Sequence, residues 1–361
     1  MSFMEIDGSF LEGGGQALRN ALSLSCILGR PVRIIRIRAN RPKPGLSHQH
    51  LHGIDLLRSV TQAAVKGNHM GSTEVEFSPR QIRADNYQVD TGTAASITLV
   101  YQVALPVLLF AGQFSRLEAF GGTNVAFAPP VEYMQEILEP NLRRFGVTFN
   151  LNVVRYGFYP RGCGRCILDV EPVSFLKPIQ LLDFGQLQEV KGWALCSGRV
   201  PRSAGRDMQQ TALREIQRQW PQHNCNIQVV KLAHDKGPDN GGGFLMKAIT
   251  STGCILGSGI VGGKTVNGHE LGARGVSELN GILKTEGCVD EHMQDQLIIY
   301  MVLAKGRSSI RTGALTNHTR TAIHVSEQMT GVKFDIEDDG EGHFVISCDG
   351  IGFEVPKSEE V

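Results

Sequence analysis

Apolar positions recur along the chain in two alternating rhythms. At 16–28 they return every three or four residues, the period of an amphipathic helix, and at 31–38 they alternate with polar ones as in a half-buried strand. The helical rhythm resumes at 47–64, and strands follow at 73–77 and 82–89. The order then repeats: helix at 94–110, strand at 116–120, helix at 131–145, strands at 147–154 and 165–170. A third pass gives helix at 291–304, strand at 308–311, helix at 316–329, strands at 332–336 and 343–348. Helices alternating with β-branched strands predict sheets covered by helices. The fold class is therefore α/β (α+β), built from three repeats of a helix-on-sheet unit.

The stretch between the second and third passes keeps its own pattern. Strands are predicted at 190–196, 227–231, 244–250 and 254–257, with helices at 206–220 and 273–283. It reads as a smaller inserted α/β domain over 183–285, leaving 1–182 and 286–361 as the large domain. The most apolar segment, 94–111, approaches the length of a membrane span. Gln102 and Pro106 interrupt it, its flanks lack cationic anchors, and it is expected to be a buried core helix.

Charge narrows the picture. Lys+Arg and Asp+Glu are 36 each, so the formal net charge is zero, against a protein that coats nucleic acid through bulk charge. A local basic pocket remains open, because Arg33, Arg36, Arg38 and Arg41 fall close together. Eight irregularly spaced cysteines and an N-terminus without a basic apolar leader predict an intracellular protein with free thiols. Cys163 and Cys166 have redox or zinc spacing without a second pair, and are expected to be structural.

Several loops can carry chemistry. Gly13-Gly14-Gly15 opens the first helix, where free N–H groups and Arg19 one turn in suit an anion, although a plain tight turn uses the same residues. Arg38 and Arg41 flank a stiff Pro42-Lys43-Pro44-Gly45 turn and can clamp phosphates in pairs; the alternative is a solvated loop. His48, His50 and His52 are spaced by two, so they diverge on a helix and make no zinc site. Gln102 in its apolar helix either bonds to nearby backbone or points into a ligand pocket. The 257–265 stretch imitates a P-loop, but Ser258 stands where the first glycine belongs, so a glycine-rich turn is expected. His318 begins the last long helix. There an imidazole tends to stay neutral and nucleophilic toward phosphorus, or simply bonds locally.

Taken in order, these loops resemble the RNA 3'-terminal phosphate cyclase family along nearly the whole chain. The resemblance is carried by Glu12-Gly13-Gly14-Gly15-Gln16, by Arg41-Pro42-Lys43-Pro44-Gly45-Leu46 with Gln49-His50-Leu51, and by Gly121-Gly122-Thr123-Asn124. It continues through Gly157-Phe158-Tyr159-Pro160, Asp295-Gln296-Leu297 and His318-Thr319 with Thr321-Ala322-Ile323-His324. It implies repeats like the C-terminal domain of translation initiation factor three. It also implies ATP as co-substrate with magnesium or manganese, and an RNA 3' end bearing a phosphate as partner; no obligate protein partner is evident in the sequence. By the same resemblance His318 is the nucleophile toward ATP and Glu12 stands by the metal. Gln102, Pro129, His292, Asp295 and Gln296 meet the nucleotide, and Arg19, Arg38, Arg41 and Gln49 meet phosphates or the RNA end. The eukaryotic members imply the nucleus.

Two positions depart from the family pattern. His292 replaces a tyrosine expected to stack on adenine, and Cys163 interrupts a glycine run after Tyr159-Pro160, in a loop of phosphate-binding type. The rival readings are a non-catalytic cyclase-like protein of ribosomal RNA processing, which lacks the nucleophilic histidine, an enolpyruvyl-type transferase, and a plain RNA-binding module.

Overall fold

The computed structural model describes residues 2–11, 13–263, 266–340 and 342–355. The first sheet forms from β1 (Met4–Asp7), β2 (Val32–Ile35), β3 (Ala64–Lys66) and β4 (Val75–Ser78), with α1 (Gln16–Leu28) and α2 (His48–Thr61) between them. The second has β5 (Asn86–Asp90), α3 (Ile97–Leu108) and β6 (Ser115–Gly121), then α4 (Val131–Tyr133), a π-helical segment (Met134–Leu138) and α5 (Glu139–Arg143), closing with β7 (Phe149–Arg155) and β8 (Gly164–Val170). The short β9 (Gln180–Leu181) precedes a fourth group: β10 (Leu187–Ser197), α6 (Arg202–Gln219), β11 (Asn224–Lys231), β12 (Gly241–Thr250), β13 (Ile255–Gly262) and α7 (Gly268–Lys284). The chain then returns through α8 (Glu291–Leu303), β14 (Arg307–Thr312), α9 (Asn317–Thr330), β15 (Phe334–Asp338) and β16 (Phe344–Asp349).

Three sheets share one strand order: β1-β2-β4-β3, β5-β6-β8-β7 and β9-β14-β16-β15. In each the first pair is parallel and the other two are antiparallel. The fourth sheet runs β11-β10-β12-β13, so the whole is a mixed α/β fold with several mixed sheets. Burial alternates along β6 and β8, the mark of a strand with one face in the core. The helices pack over those faces, and α1 also packs on α9, where the Phe10 and His324 rings stack at 3.9 Å. Glycine ends two of the helices in the left-handed region, Gly29 after α1 (φ 63°) and Gly331 after α9 (φ 81°).

Several expectations change. The 82–89 strand forms as β5, but it pairs parallel with β6 in the second sheet instead of closing the first. The first sheet is closed by β3, which begins at Ala64, the last residue of the predicted 47–64 helix, because Gln62 turns left-handed (φ 51°) and stops α2. The predicted 31–38 strand ends at Ile35, since Arg36 and Arg38 both adopt positive φ. The 131–145 helix is broken by its π segment, just before Pro140, which lacks the N–H that an unbroken helix needs there. The 257–263 stretch is no turn: most of it is the body of β13.

Helix α3 is buried over most of its length and has twelve residues, about 18 Å at the helical rise, far short of a membrane core. Among the described residues no helix is long and apolar enough to cross a membrane. All eight cysteines are free thiols.

Candidate active site

Helix α1 starts at Gly15 without a side-chain cap and without an acidic residue in its first turn, so its opening N–H groups stay available. The space there is tight. A Cβ on Gly15 would lie 2.5 Å from His50 Nε2 and 2.7 Å from Arg19 Nη1; only glycine lets both side chains close over the helix start. Gly13 adopts φ +55° and backs against Asn40.

The same corner collects donors that the protein does not satisfy. Gln16 Nε2, Arg19 Nε, Asn20 Nδ2 and His50 Nε2 are buried without a partner. The Ser47 N–H donates to His50 Nδ1 at 3.2 Å, which assigns the ring proton to Nε2 and makes it one more donor. Burial, and after it Arg19 and Arg38, lowers the His50 pKa to about 3, so the ring is neutral. Orphaned buried donors each cost about 1–3 kcal/mol, and a polyanion is the ligand that would relieve them together. Arg19 itself donates to Gln16 Oε1 at 2.6 Å, and burial lowers its pKa to about 10 against the pull of Asp295. Arg19, Gln49 and His50 line one small cavity between α1, α2 and α3. Arg38 donates to the Gly45 carbonyl at 2.7 Å, which closes the turn that carries Arg41.

Helix α9 brings His318 to the same corner. Thr316 caps it, accepting from the Thr319 N–H, and His318 is the second residue of the helix. Burial around the ring, then the positive fields of Arg19, Arg41 and His292, lower its pKa below the ordinary histidine value, while Glu291 opposes them. The imidazole is thus neutral near pH 7 and has a lone pair to give.

Helix α8 supplies the third wall. Its cap, Asp290, accepts from the N–H groups of His292 and Met293, from Gly257 N–H on β13 and from the Tyr133 hydroxyl at 2.6 Å. The Tyr133 ring meets the His292 ring edge-on at 5.9 Å. Asp295 is buried, and burial raises its pKa to about 7 against the opposing fields of His292 and Arg19. Gln296 donates to the His292 carbonyl of its own helix at 2.8 Å. Beside His292 a cleft of about 330 Å³ runs between β13 and the 312–314 loop. Across the site, Thr98 on α3 donates to the Pro129 carbonyl at 2.8 Å, and Gln102 follows one turn later on the same face. Gln102 is only partly buried.

One residue without a place in the sequence reading anchors the whole arrangement. Gln294 is buried, and its Oε1 accepts from Thr316 N–H at 3.0 Å and from the Thr319 hydroxyl. Its Nε2 donates to Thr312 and Ala314. That amide fixes the first turn of α9, and with it His318. The signal was the one applied to Gln102, an amide in an apolar helix, but the partners become visible only once the 312–316 loop is folded over α8.

The candidate metal residue Glu12 lies outside the described residues. Among the described residues no three His, Cys, Asp or Glu side chains gather to hold a metal; His50 turns inward while the His48 and His52 rings stack at 6.3 Å.

The family match and the named relatives agree. The family described as RNA 3'-terminal phosphate cyclase matches residues 10–336. A Drosophila melanogaster protein named RNA 3'-terminal phosphate cyclase is 60% identical, across 97% of this chain and 97% of its own. One of that name from Pyrobaculum aerophilum is 37% identical across 97% and 99%. A Dictyostelium discoideum protein named as a probable RNA 3'-terminal phosphate cyclase is 35% identical across 97% and 83%. Among solved structures, the enolpyruvyl transferase NikO from Streptomyces tendae aligns with a TM-score of 0.42 at 13% identity, over 98% of this chain and 50% of that one, too loose a likeness to carry an argument.

Proposed function

The chain belongs to the RNA 3'-terminal phosphate cyclase family of enzymes, and from that premise we propose that it uses ATP to close an RNA 3'-terminal phosphate into a 2',3'-cyclic phosphodiester, with His318 as the covalent carrier of AMP. The observation that carries this reading is the corner where the neutral imidazole of His318, at the start of α9, faces Arg19 at the start of α1.

In the first step the His318 lone pair attacks the α-phosphorus of ATP. A P–N bond forms, the bond to the β-phosphate oxygen breaks, and pyrophosphate leaves. In the second an oxygen of the RNA 3'-phosphate attacks the same phosphorus, and the P–N electrons return to His318. In the third the neighbouring 2'-oxygen attacks the terminal RNA phosphorus, AMP departs, and the hydroxyl proton passes to solvent. Each step moves negative charge onto phosphate oxygens, where Arg19, Arg38, Arg41, Gln49 and the orphaned α1 donors are suited to receive it. Gln102, Pro129, His292, Asp295 and Gln296 are the proposed nucleotide contacts. A magnesium or manganese ion by Glu12 would add positive charge at the phosphates; no step above is routed through it.

The shared order of three sheets supports reading them as three copies of one unit like the C-terminal domain of initiation factor three. In that reading 183–285 is an inserted domain in a large domain of 1–182 and 286–361. The eukaryotic resemblance makes the nucleus the proposed place of action.

The reading is tested by incubating a 3'-phosphorylated RNA with ATP and magnesium or manganese, then treating it with phosphatase. A phosphatase-resistant end that needs ATP, and falls by about 10³-fold or more in His318→Ala, is expected. RNA binding without end conversion would instead fit the non-catalytic cyclase-like reading.

A further inference from the structure

A second polar hollow lies where the 157–163 loop, leading into β8, meets the 197–201 and 233–240 loops of the fourth sheet; it encloses about 570 Å³. Its floor is Asp239, a buried carboxylate that accepts from Phe158 N–H at 3.3 Å, Cys163 N–H at 3.2 Å and Arg161 Nε at 2.7 Å. Arg161 also donates to the Pro238 carbonyl at 3.1 Å. One carboxylate therefore fixes the loop from the opposite side and aims its guanidinium. On that fixed loop Tyr159 is 68% exposed, and Arg199 and His234 stand exposed on the facing wall.

An exposed aromatic ring beside a fixed guanidinium is the pairing that grips a single strand, base on ring and phosphate on guanidinium. The hollow is also joined to the nucleotide residues. The N–H groups of Thr123 and Asn124 donate to the Gly157 carbonyl, and Val131 N–H donates to the Thr123 carbonyl, which ties the loop to the turn bearing Pro129. Gly162 lies against Ala94, where a Cβ would come within 2.3 Å of the Ala94 Cα, just before the cap of α3.

We propose that this hollow binds the single-stranded RNA upstream of the reacting end, with one base stacked on Tyr159 and backbone phosphates on Arg161, Arg199 and His234. The proposal rests on the cyclase reading, because the strand must run from the His318 corner to the hollow.

Anisotropy of a labelled decamer RNA with a 3'-phosphate on the full chain tests it, beside kcat/KM for cyclising that decamer and a dinucleotide with the same end. Tyr159→Ala is expected to weaken decamer binding, and lower its kcat/KM, by about tenfold, the order of one lost base stack, and to leave the dinucleotide within about twofold. Tyr159→Phe retains the ring and should bind as the parent does. Arg199→Ala should lower the salt slope of decamer binding by about one phosphate contact. Labelling of the protein by ATP without RNA should be unchanged in all three. Equal losses on dinucleotide and decamer, no loss on either, or a duplex competing as well as the single strand would each overturn the hollow's role. Failure of His318 to label sinks the cyclase reading instead, and decamer binding still decides the hollow.

Discussion

Gly13-Gly14-Gly15 and the 257–263 stretch share a composition but not an environment. At Gly15 the missing side chain makes room for His50 and Arg19 to close over an uncapped helix start, among donors that have no protein partner. Along β13 the glycines make room for neighbours that are already satisfied: Gly257 packs on Ile137 and Gly259 on Pro130, and both sit in register with β12. One set of glycines opens beside unpaired donors, and the other lets a helix and a strand approach. Glycine alone distinguishes nothing. What marks the first region is unpaired donors beside a helix N-terminus.

The contrast can be broken most sharply by adding a methyl group. Gly15→Ala forces His50 and Arg19 aside, and cyclisation is expected to fall about 100-fold, the scale of a roughly 1 Å misplacement in a reacting site, with little change in melting temperature. A drop in melting temperature with an unchanged rate would reverse the assignment. Gln294→Ala comes next. It leaves Thr316 N–H and the Thr312 and Thr319 hydroxyls without their buried partner, so about 2–3 kcal/mol of stability in urea and about tenfold in rate should be lost together. A loss of stability with the rate intact would make Gln294 structural only. Gly257→Ala should do the opposite of Gly15→Ala: overpacking against Ile137 costs about 1–3 kcal/mol, read by urea unfolding, while the rate per folded molecule changes less than tenfold.

The smallest effect is in pH. His50 is lowered to about 3 and Asp295 is raised to about 7, both chiefly by burial. Between about pH 4 and pH 6.5 the unfolded chain protonates His50 while the folded chain does not, so that group's stability is whole above the window and drains as pH falls. Asp295 keeps its proton when folded and loses it when unfolded in the same window, so its contribution drains as pH rises. The two slopes oppose. Asp295→Asn should therefore make stability fall more steeply toward acid, by up to about 1 kcal/mol per pH unit, and His50→Gln should tilt it the other way. Urea unfolding at three pH values reads both, and parallel curves for all three proteins would remove the pair from the account.

Much of this was legible in the chain itself. The bounds of α1 and the starts of α8 and α9 followed from apolar spacing, and those helix starts carry His292, Asp295 and His318. The strands β3 and β9 were not legible, because three and two residues are too few for a period to show. Nor were Gln294 and Asp239. Each is a polar residue made meaningful by backbone groups far away in sequence, and only the folded chain brings those partners near.

The central claim is that His318 carries the nucleotidyl group. Incubation with ATP labelled at the α-phosphate, in the presence of magnesium or manganese, should leave acid-labile label on the peptide that contains His318. His318→Ala should take none. Label that survives in His318→Ala, or a wild-type chain that takes up no label while still closing RNA ends, would contradict the account.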